Sequence, residues 1–376
     1  MNRKRLMLAM LLAAFVLTAL VGAGLAQQQK DSKAQAQPQE KEKVYIPKDV
    51  KAILEQGLAA RQGLPGIPVT VTSHLYFPYY RVQGLMHNVF ELKIKNADLG
   101  FAAAAAAAAP AAGTKPAEKK EEKKDTTEAF ESVPAADMQA LFDLFLQFRT
   151  IENNVPGKVV KEVYVPTDIL IPAAEYKPEN VEDYFVGYDL PAGNYLLSLA
   201  VRTMDQKKMG TTYFEFSTPD MNKMEGKIET TPIVITQDVG QMQVQETRTI
   251  LHRGYFTYLV LKITPNAAGS VPLKSNLDIL YFILGAKPND QGKFALETSF
   301  EVKQGDKLVI PYASTVYDAP YVSLPLPLKQ TVKITLGTTE KTEVRDLPAG
   351  KYTLNAKITD KVSGATITKS VDFEVF

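Results

Sequence analysis

The chain of 376 residues is 45% hydrophobic and 23% charged, a globular composition with room for two or three domains. Its 43 lysines and arginines nearly balance its 42 aspartates and glutamates, so no strong positive field is available to attract nucleic acid. The absence of cysteine excludes disulfides, thiolate nucleophiles and cysteine-ligated zinc.

The first 26 residues have the features of a secretory signal peptide. Cations at positions 3 to 5 precede an apolar run from 6 to 20, and small residues follow up to Ala26. The run is shorter than the ~20 residues of a membrane-spanning helix, so we expect cleavage near Gln27, with a retained membrane anchor as the alternative. The mature chain would then be secreted or periplasmic, without a membrane span, and would keep 40 basic and 42 acidic residues.

The next two segments differ in their pattern. Residues 27–43 are polar and lack periodic apolar positions, which predicts a disordered linker. Between 44 and 65, apolar side chains recur at helical spacing at Val50, Ile53, Leu54 and Leu58. This spacing predicts a short amphipathic helix over 48–61, with Gly63 suited to follow its end.

From residue 66 the apolar period changes from 3.6 to 2. Short β-rich runs separated by Gly, Pro, Asn or Asp fill the block 66–220: PVTVTSHLYF, NVFELKIK, LFDLFLQFR, KVVKEVYV, YFVGYDL, YLLSLAVR and TTYFEFS. Runs of this kind predict strands, and this many in one block predict a β-sandwich.

An insertion of low complexity, residues 101–130, separates the second and third of these runs. Its eight consecutive alanines and its balanced lysines and glutamates give no apolar face to bury. We expect a disordered or frayed helical excursion from a loop, which a sandwich tolerates because closure entropy grows slowly with length. A tether to cell-wall polymer or to a partner is the alternative.

A second block, 229–376, has the same character. It contains the runs PIVIT, YFTYLVLKI, LDILYFIL, FALETSFEV, KLVIPYA, TVKITL, KYTLNAKIT and TKSVDFEVF. These runs predict a second sandwich. The segment APYVSLPLPLK at 319–329 is expected at an exposed sheet edge, where proline prevents unwanted pairing.

Nearly the same turn sequence occurs in both blocks, as DLPAGNY at 189–195 and as DLPAGKY at 346–352. In both blocks an ELKIK or VLKIT run precedes an LFDLFLQF or LDILYFIL run, and the turn comes before the last pair of strands. We therefore predict an all-β fold of two tandem Ig-like or fibronectin-III-like β-sandwiches. A chance match of a common turn is the alternative.

Each copy of the turn has the parts of a tyrosine corner, in which a tyrosine hydroxyl bonds back to the backbone of the preceding bend. The predicted corner residues are Asp189, Gly193, Tyr195, Asp346, Gly350 and Tyr352. The strand after the first copy carries Leu196 and Ala200 on its outer face, so we expect the predicted helix or the neighbouring sandwich to cover that face.

These residues carry a family resemblance. The stretches LEQGLAARQGLPGIPVTVTSHLYF and DLPAGNYLLSLAVRTMDQKKMGTTYFEFSTPD resemble the β-sandwich module that follows the integrin-like domain in bacterial secreted proteins related to von Willebrand factor A. The ending DLPAGKYTLNAKITDKVSGATITKSVDFEVF is similar to Ig-like segments of uncharacterised bacterial envelope proteins. The resemblance implies a fold and not a reaction. The DxSxS metal-binding loop of an integrin-like domain does not occur in the chain.

Motifs for catalysis are absent from the sequence. His74, His87 and His252 form no HxH or HExxH pattern, and neither a GxSxG elbow nor a phosphate-binding or dinucleotide-binding glycine motif occurs. The acidic loop at 179–183 matches no calcium-loop spacing. We therefore expect no enzymatic activity, no cofactor and no metal site.

Tyrosines offer the remaining binding chemistry. Tyr79 and Tyr80 in LYFPYYR, and Tyr255 in GYFTYL, are candidates for stacking on sugar rings, while Tyr76 and Tyr258 are expected in the core. The sequence favours a non-catalytic secreted or periplasmic module of the bacterial cell envelope, whose partner is an unidentified envelope protein or polysaccharide. A carbohydrate-binding module that uses these tyrosines is the first alternative, and a surface fibre subunit joined by strand addition is the second.

Overall fold

A computed structural model describes residues 46–79, 84–104, 137–224, 226–336 and 339–376. The fold of these residues is all-β with one α-helix. The predicted signal peptide and linker lie outside them, and so does the insertion 101–130 apart from residues 101–104. Within the described ranges, no helix has the length and apolar content needed to cross a membrane.

The first sandwich confirms every strand predicted between 66 and 220, because apolar residues there recur at every second position and fill at least one buried face of each strand. Its strands are β1 (Val69–Pro78), β2 (Leu85–Lys95), β3 (Ala102–Ala103), β4 (Met138–Glu152), β5 (Val155–Ile171), β6 (Val181–Pro191), β7 (Gly193–Thr203) and β8 (Met209–Thr218). Short 3-10 helices span Asn96–Asp98 and Met221–Lys223.

The strands that follow belong mainly to the second sandwich. These are β9 (Glu229–Thr230), β10 (Val234–Gln241), β11 (Leu251–Arg253), β12 (Phe256–Tyr258), β13 (Leu261–Pro265), β14 (Ser270–Val271), β15 (Asn276–Leu284), β16 (Leu296–Gln304), β17 (Lys307–Pro311), β18 (Thr315–Tyr317), β19 (Tyr321–Pro327), β20 (Lys329–Leu336), β21 (Thr339–Asp346), β22 (Gly350–Asp360) and β23 (Thr366–Val375). The run YFTYLVLKI, predicted as one strand, is two antiparallel strands, because the chain reverses at Leu259 with φ 55°.

Each sandwich has an inner sheet, which faces the other sandwich, and an outer sheet, which faces away from it. The inner sheet of the first sandwich has the order β1-β2-β6-β11, and in its outer sheet β5 and β7 flank β4 while β8 pairs with β7. The inner sheet of the second sandwich has the order β12-β13-β10-β15-β19, and its outer sheet has the order β14-β23-β22-β16-β17. Strand β19 is thus an edge strand, as predicted for 319–329.

The two sandwiches share an order of strands. In the outer sheets, β5-β4-β7-β8 of the first corresponds to β17-β16-β22-β23 of the second, and in the inner sheets β1-β2-β6 corresponds to β10-β15-β19. The predicted match between LFDLFLQF and LDILYFIL is therefore wrong. LFDLFLQF lies in β4 of an outer sheet, LDILYFIL lies in β15 of an inner sheet, and β16 takes the place of β4.

Three apolar layers separate the four stacked sheets. Two are the cores of the individual sandwiches, and they contain Phe90 and Phe148 in the first and Tyr281 and Phe300 in the second. The third lies between the inner sheets, where Phe77 meets Phe256, Tyr258 and Phe282. The inner sheets are therefore apolar on both faces, and the sandwiches stack through a continuous core.

Strand β11 crosses from one sandwich to the other. Leu251, His252 and Arg253 pair antiparallel with Val186, Phe185 and Tyr184 of β6. A strand from within the predicted second domain, 229–376, thus completes the inner sheet of the first sandwich. This pairing removes a free edge from that sheet.

Helix α1 (Lys48–Leu58) confirms the predicted amphipathic helix, although it ends three residues before the predicted position 61. Its buried Val50 and Leu54 pack with Ile46 on Phe145 of β4 and Ala200 of β7, which is the apolar outer face expected to be covered. Ion pairs surround this contact, including Lys51 Nζ to Glu162 Oε2 at 2.7 Å.

Candidate functional site

Both copies of the repeated turn close with a tyrosine hydrogen bond. The hydroxyl of Tyr195 donates to the carbonyl oxygen of Pro191 at 3.0 Å. The hydroxyl of Tyr352 likewise donates to the carbonyl oxygen of Pro348 at 2.9 Å. Burial raises the pKa of both phenols above the usual value, so they remain protonated donors at neutral pH. The arrangement ties the first residues of β7 and β22 to the bends before them.

The glycine of each turn lies in a crowded place. A Cβ added at Gly193 would lie 3.1 Å from the hydroxyl oxygen of Tyr195, so the lack of a side chain there makes room for the ring. Gly350 has φ 153°, which favours glycine, and a Cβ there would lie 3.1 Å from Nε2 of Gln304.

The aspartates that open the two turns have different surroundings. Asp189 lies opposite His87 in the β2–β6 register, and its Oδ1 is 2.7 Å from His87 Nδ1. The ring of His87 packs so closely on Gly187 that a Cβ there would lie 2.5 Å from His87 Nε2. Asp346 lies opposite Lys329 at the base of the β20–β21 hairpin.

The described residues of the aromatic cluster LYFPYYR are buried or half-buried. Phe77 is fully buried between the sandwiches, and the half-buried Tyr76 donates its hydroxyl to the Thr230 carbonyl at 3.4 Å. Tyr79 is half-buried and its backbone N–H bonds to the Leu85 carbonyl at 3.1 Å. Tyr80 lies outside the described residues.

Tyr255 is covered by its own neighbours. The His252 ring stacks on it with centroids 4.5 Å apart, and the Lys262 ammonium lies 4.1 Å from its centroid. Glu246 Oε2 is 2.9 Å from His252 Nε2 and accepts the Thr257 hydroxyl at 2.9 Å. An imidazole and an ammonium already lie over this ring, so little of its surface is left for a sugar.

His74 is held in the first sandwich. Its Nε2 is 2.9 Å from Asn88 Oδ1, which also accepts the Thr218 hydroxyl at 2.8 Å, and its ring stacks on Phe90. Burial lowers the pKa of His74 below the ordinary imidazole value. In the part of the chain that the structure describes, histidines and carboxylates nowhere gather into a group of three that could hold a metal ion.

A surface hollow of about 440 Å³ lies at one end of the outer sheet of the first sandwich. Its lining combines the apolar Leu141 and Met204 with Asp205 and Lys207. The Asp205 carboxylate accepts the Thr203 hydroxyl at 2.7 Å and the Lys207 N–H at 3.1 Å, and these hydrogen bonds lower its pKa. The Asp205 carboxylate therefore holds this turn together.

The hairpin β20–β21 contains an exposed strand, β21. Its register runs without a shift from the Lys329–Asp346 pair to the Leu336–Thr339 pair. All of residues 340–345 are exposed, and Val344 retains 64% of its accessible surface. β21 was not predicted, because TEKTEVRD has one apolar residue and thus no alternation between a buried and an exposed face.

No protein-family model matches the chain, and no curated protein is significantly similar to it. The resemblance to the sandwich module of secreted von Willebrand factor A-related proteins therefore stays a prediction. The functional proposal depends on the stacked sheets and on their exposed surfaces.

Proposed function

We propose that the protein is a non-catalytic structural and protein-binding module of the bacterial cell envelope, which is exported by its N-terminal segment and acts in the periplasm or outside the cell. The Ig-like character of its two sandwiches belongs to the same proposal. The observation that carries it is the continuous core between the inner sheets, because this core makes two sandwiches into one rigid body.

The contact between the sandwiches supports a positioning role. The Phe77 ring centroid lies 5.4 Å from that of Phe256 and 5.8 Å from that of Phe282, and these three side chains are buried. Aromatic pairs at such distances add to the free energy of apolar burial and fix the angle between the elements that carry them. A body of this kind can hold two binding surfaces at a constant separation.

The charged side chains support the same role. Arg202 and Asp143 form a buried ion pair of 3.0 Å on the outer face of the first sandwich, and the Tyr164 hydroxyl donates to Asp143 at 2.9 Å. Asp49 of α1 lies 3.5 Å from Arg202. These groups fasten the helix to the sheet, which is a structural role for the ion pairs.

Cell fractionation tests the proposal. We expect the full chain in the periplasm or the medium, with a new N-terminus near Gln27, because the apolar run 6–20 would direct export and be removed. In the control variant Leu11→Arg, a charge interrupts the run, and we expect the chain to stay in the cytoplasm with its signal intact. Wild-type chain in the cytoplasm with residues 1–26 attached would contradict the proposal.

A further inference from the structure

The hairpin β20–β21 has no counterpart in the first sandwich. There, β6 leads through the repeated turn directly into the corner strand β7. In the second sandwich, the corresponding inner-sheet strand is β19, and the chain forms β20 and β21 before it reaches the turn and the corner strand β22. The hairpin is therefore an addition that the shared order of strands does not require.

The outer edge of β21 is free among the described residues. β21 pairs with β20 alone, and the two form a separate two-stranded sheet. A two-stranded hairpin exposed to water is only marginally stable, so it gains stability from a further strand. The edge strand β19 carries Pro325 and Pro327, which limit pairing, whereas β21 contains no proline and no register shift.

We infer that β21 pairs antiparallel with β21 of a second copy of this chain, about a twofold axis at Thr342. In this alignment Lys341 lies opposite Glu343 of the other copy, and the symmetry makes that pair twice. An alignment centred on Lys341 or on Glu343 would place that residue opposite its own like charge. The order of charges along the exposed strand therefore disfavours these two alignments, and in the alignment at Thr342 the two hairpins join into a four-stranded sheet.

The side chains needed for this pairing are available at the surface. Glu343 already bonds Arg345 of its own strand, with Nη2 to Oε2 at 2.8 Å, and about half of each side chain remains exposed. Lys341 is exposed on the same face of the hairpin, two residues away. A carboxylate can accept from two cations, so Glu343 can bind Lys341 of the other copy without releasing Arg345.

This inference deepens the proposed function and rests on it, since it names a second copy as a partner of the module. Strand addition supplies main-chain hydrogen bonds for affinity, and the alternating charges supply the specificity. A symmetric pair of stacked sandwiches would then present two copies of every other surface, related by the twofold axis.

Sedimentation velocity over a range of concentrations tests the inference on the full chain. We expect a reversible dimer for the wild type. Lys341→Glu and Glu343→Lys should each raise the dissociation constant about tenfold or more, because each change places like charges opposite each other twice. An equimolar mixture of the two variants should restore dimers, since in the mixed dimer every one of these positions again faces an opposite charge.

Several outcomes would overturn the inference. A wild type that stays monomeric at the highest soluble concentration would overturn the inference. This result would not affect the fractionation test of export. Dimerisation that Lys341→Glu leaves unchanged would also overturn the inference. It would indicate an alignment centred on Val344, which pairs Glu343 with Arg345 and leaves Lys341 outside the pairing. Single variants that dimerise as poorly in mixture as alone would show that the charges do not face each other.

Discussion

The two sandwiches share an order of strands and a tyrosine corner, but they differ in the helices and strands that are added to these shared strands. The first sandwich carries α1 on its outer face and receives β11 at the edge of its inner sheet. The second carries the β12–β13 hairpin, which packs on the first sandwich, and the β20–β21 hairpin, which faces solvent. The shared strands therefore form the two cores and much of the layer between the sandwiches, and the added elements cover or extend the surfaces of these strands.

The core between the sandwiches is expected to give the largest effect when it is broken. Phe77→Ala removes a fully buried ring that contacts three aromatic side chains across this layer. We expect the free energy of unfolding to fall by about 3 to 5 kcal/mol, and calorimetry should resolve separate transitions for the two sandwiches. Phe376→Ala, at a ring that is 61% exposed, is the control. A loss no larger than the control's would contradict a shared core.

A smaller but still large loss is expected where two backbones meet in the first sandwich. A Cβ added at Gly210 would lie 1.8 Å from the carbonyl oxygen of Ile67, a backbone atom with little freedom to move. We expect Gly210→Ala to cost roughly 3 kcal/mol in urea unfolding. Gly240→Ala in the second sandwich is the matched control, because its nearest atom would be 3.7 Å away. Equal losses would contradict the close approach.

The smallest effects are expected at the two corners. Tyr195→Phe and Tyr352→Phe each remove one hydrogen bond, so each should lower the free energy of unfolding by about 0.5 to 1.5 kcal/mol. The control is Tyr184→Phe, because the buried Tyr184 hydroxyl has no hydrogen-bond partner in the described structure. Thermal unfolding should show two similar losses and none for the control. Losses that differ strongly between the corners would mean that the repeated turns are not equivalent.

The sequence predicts strands best where at least one face is buried. All seven runs of the first block are strands, because apolar residues alternate in them and turn-forming residues bound them. The chain reversal at Leu259 could not be predicted, since neither Gly, Pro, Asn nor Asp occurs at 259–260. The pairing of β11 with β6 depends on a contact between distant segments, and a local pattern carries no information about such a contact.

The candidate site also contains features that the sequence could predict and features that it could not. Tyr195 and Tyr352 could be placed in corners because the turn before each has its own sequence signature. The surroundings of Tyr255 could not be predicted, because the Lys262 ammonium that covers its ring comes from the next strand of an unrecognised hairpin. β21 was missed because a strand exposed on both faces has no apolar period.

The crossing of β11 also affects how the protein would respond to damage. A protease that cut the chain between β8 and β9 would not release two separate pieces, because the C-terminal piece would still supply a strand to the N-terminal one. Such a nicked protein would migrate as two bands under denaturing conditions and as one particle under native conditions. A protein with this architecture would tolerate a broken backbone at the junction of its halves.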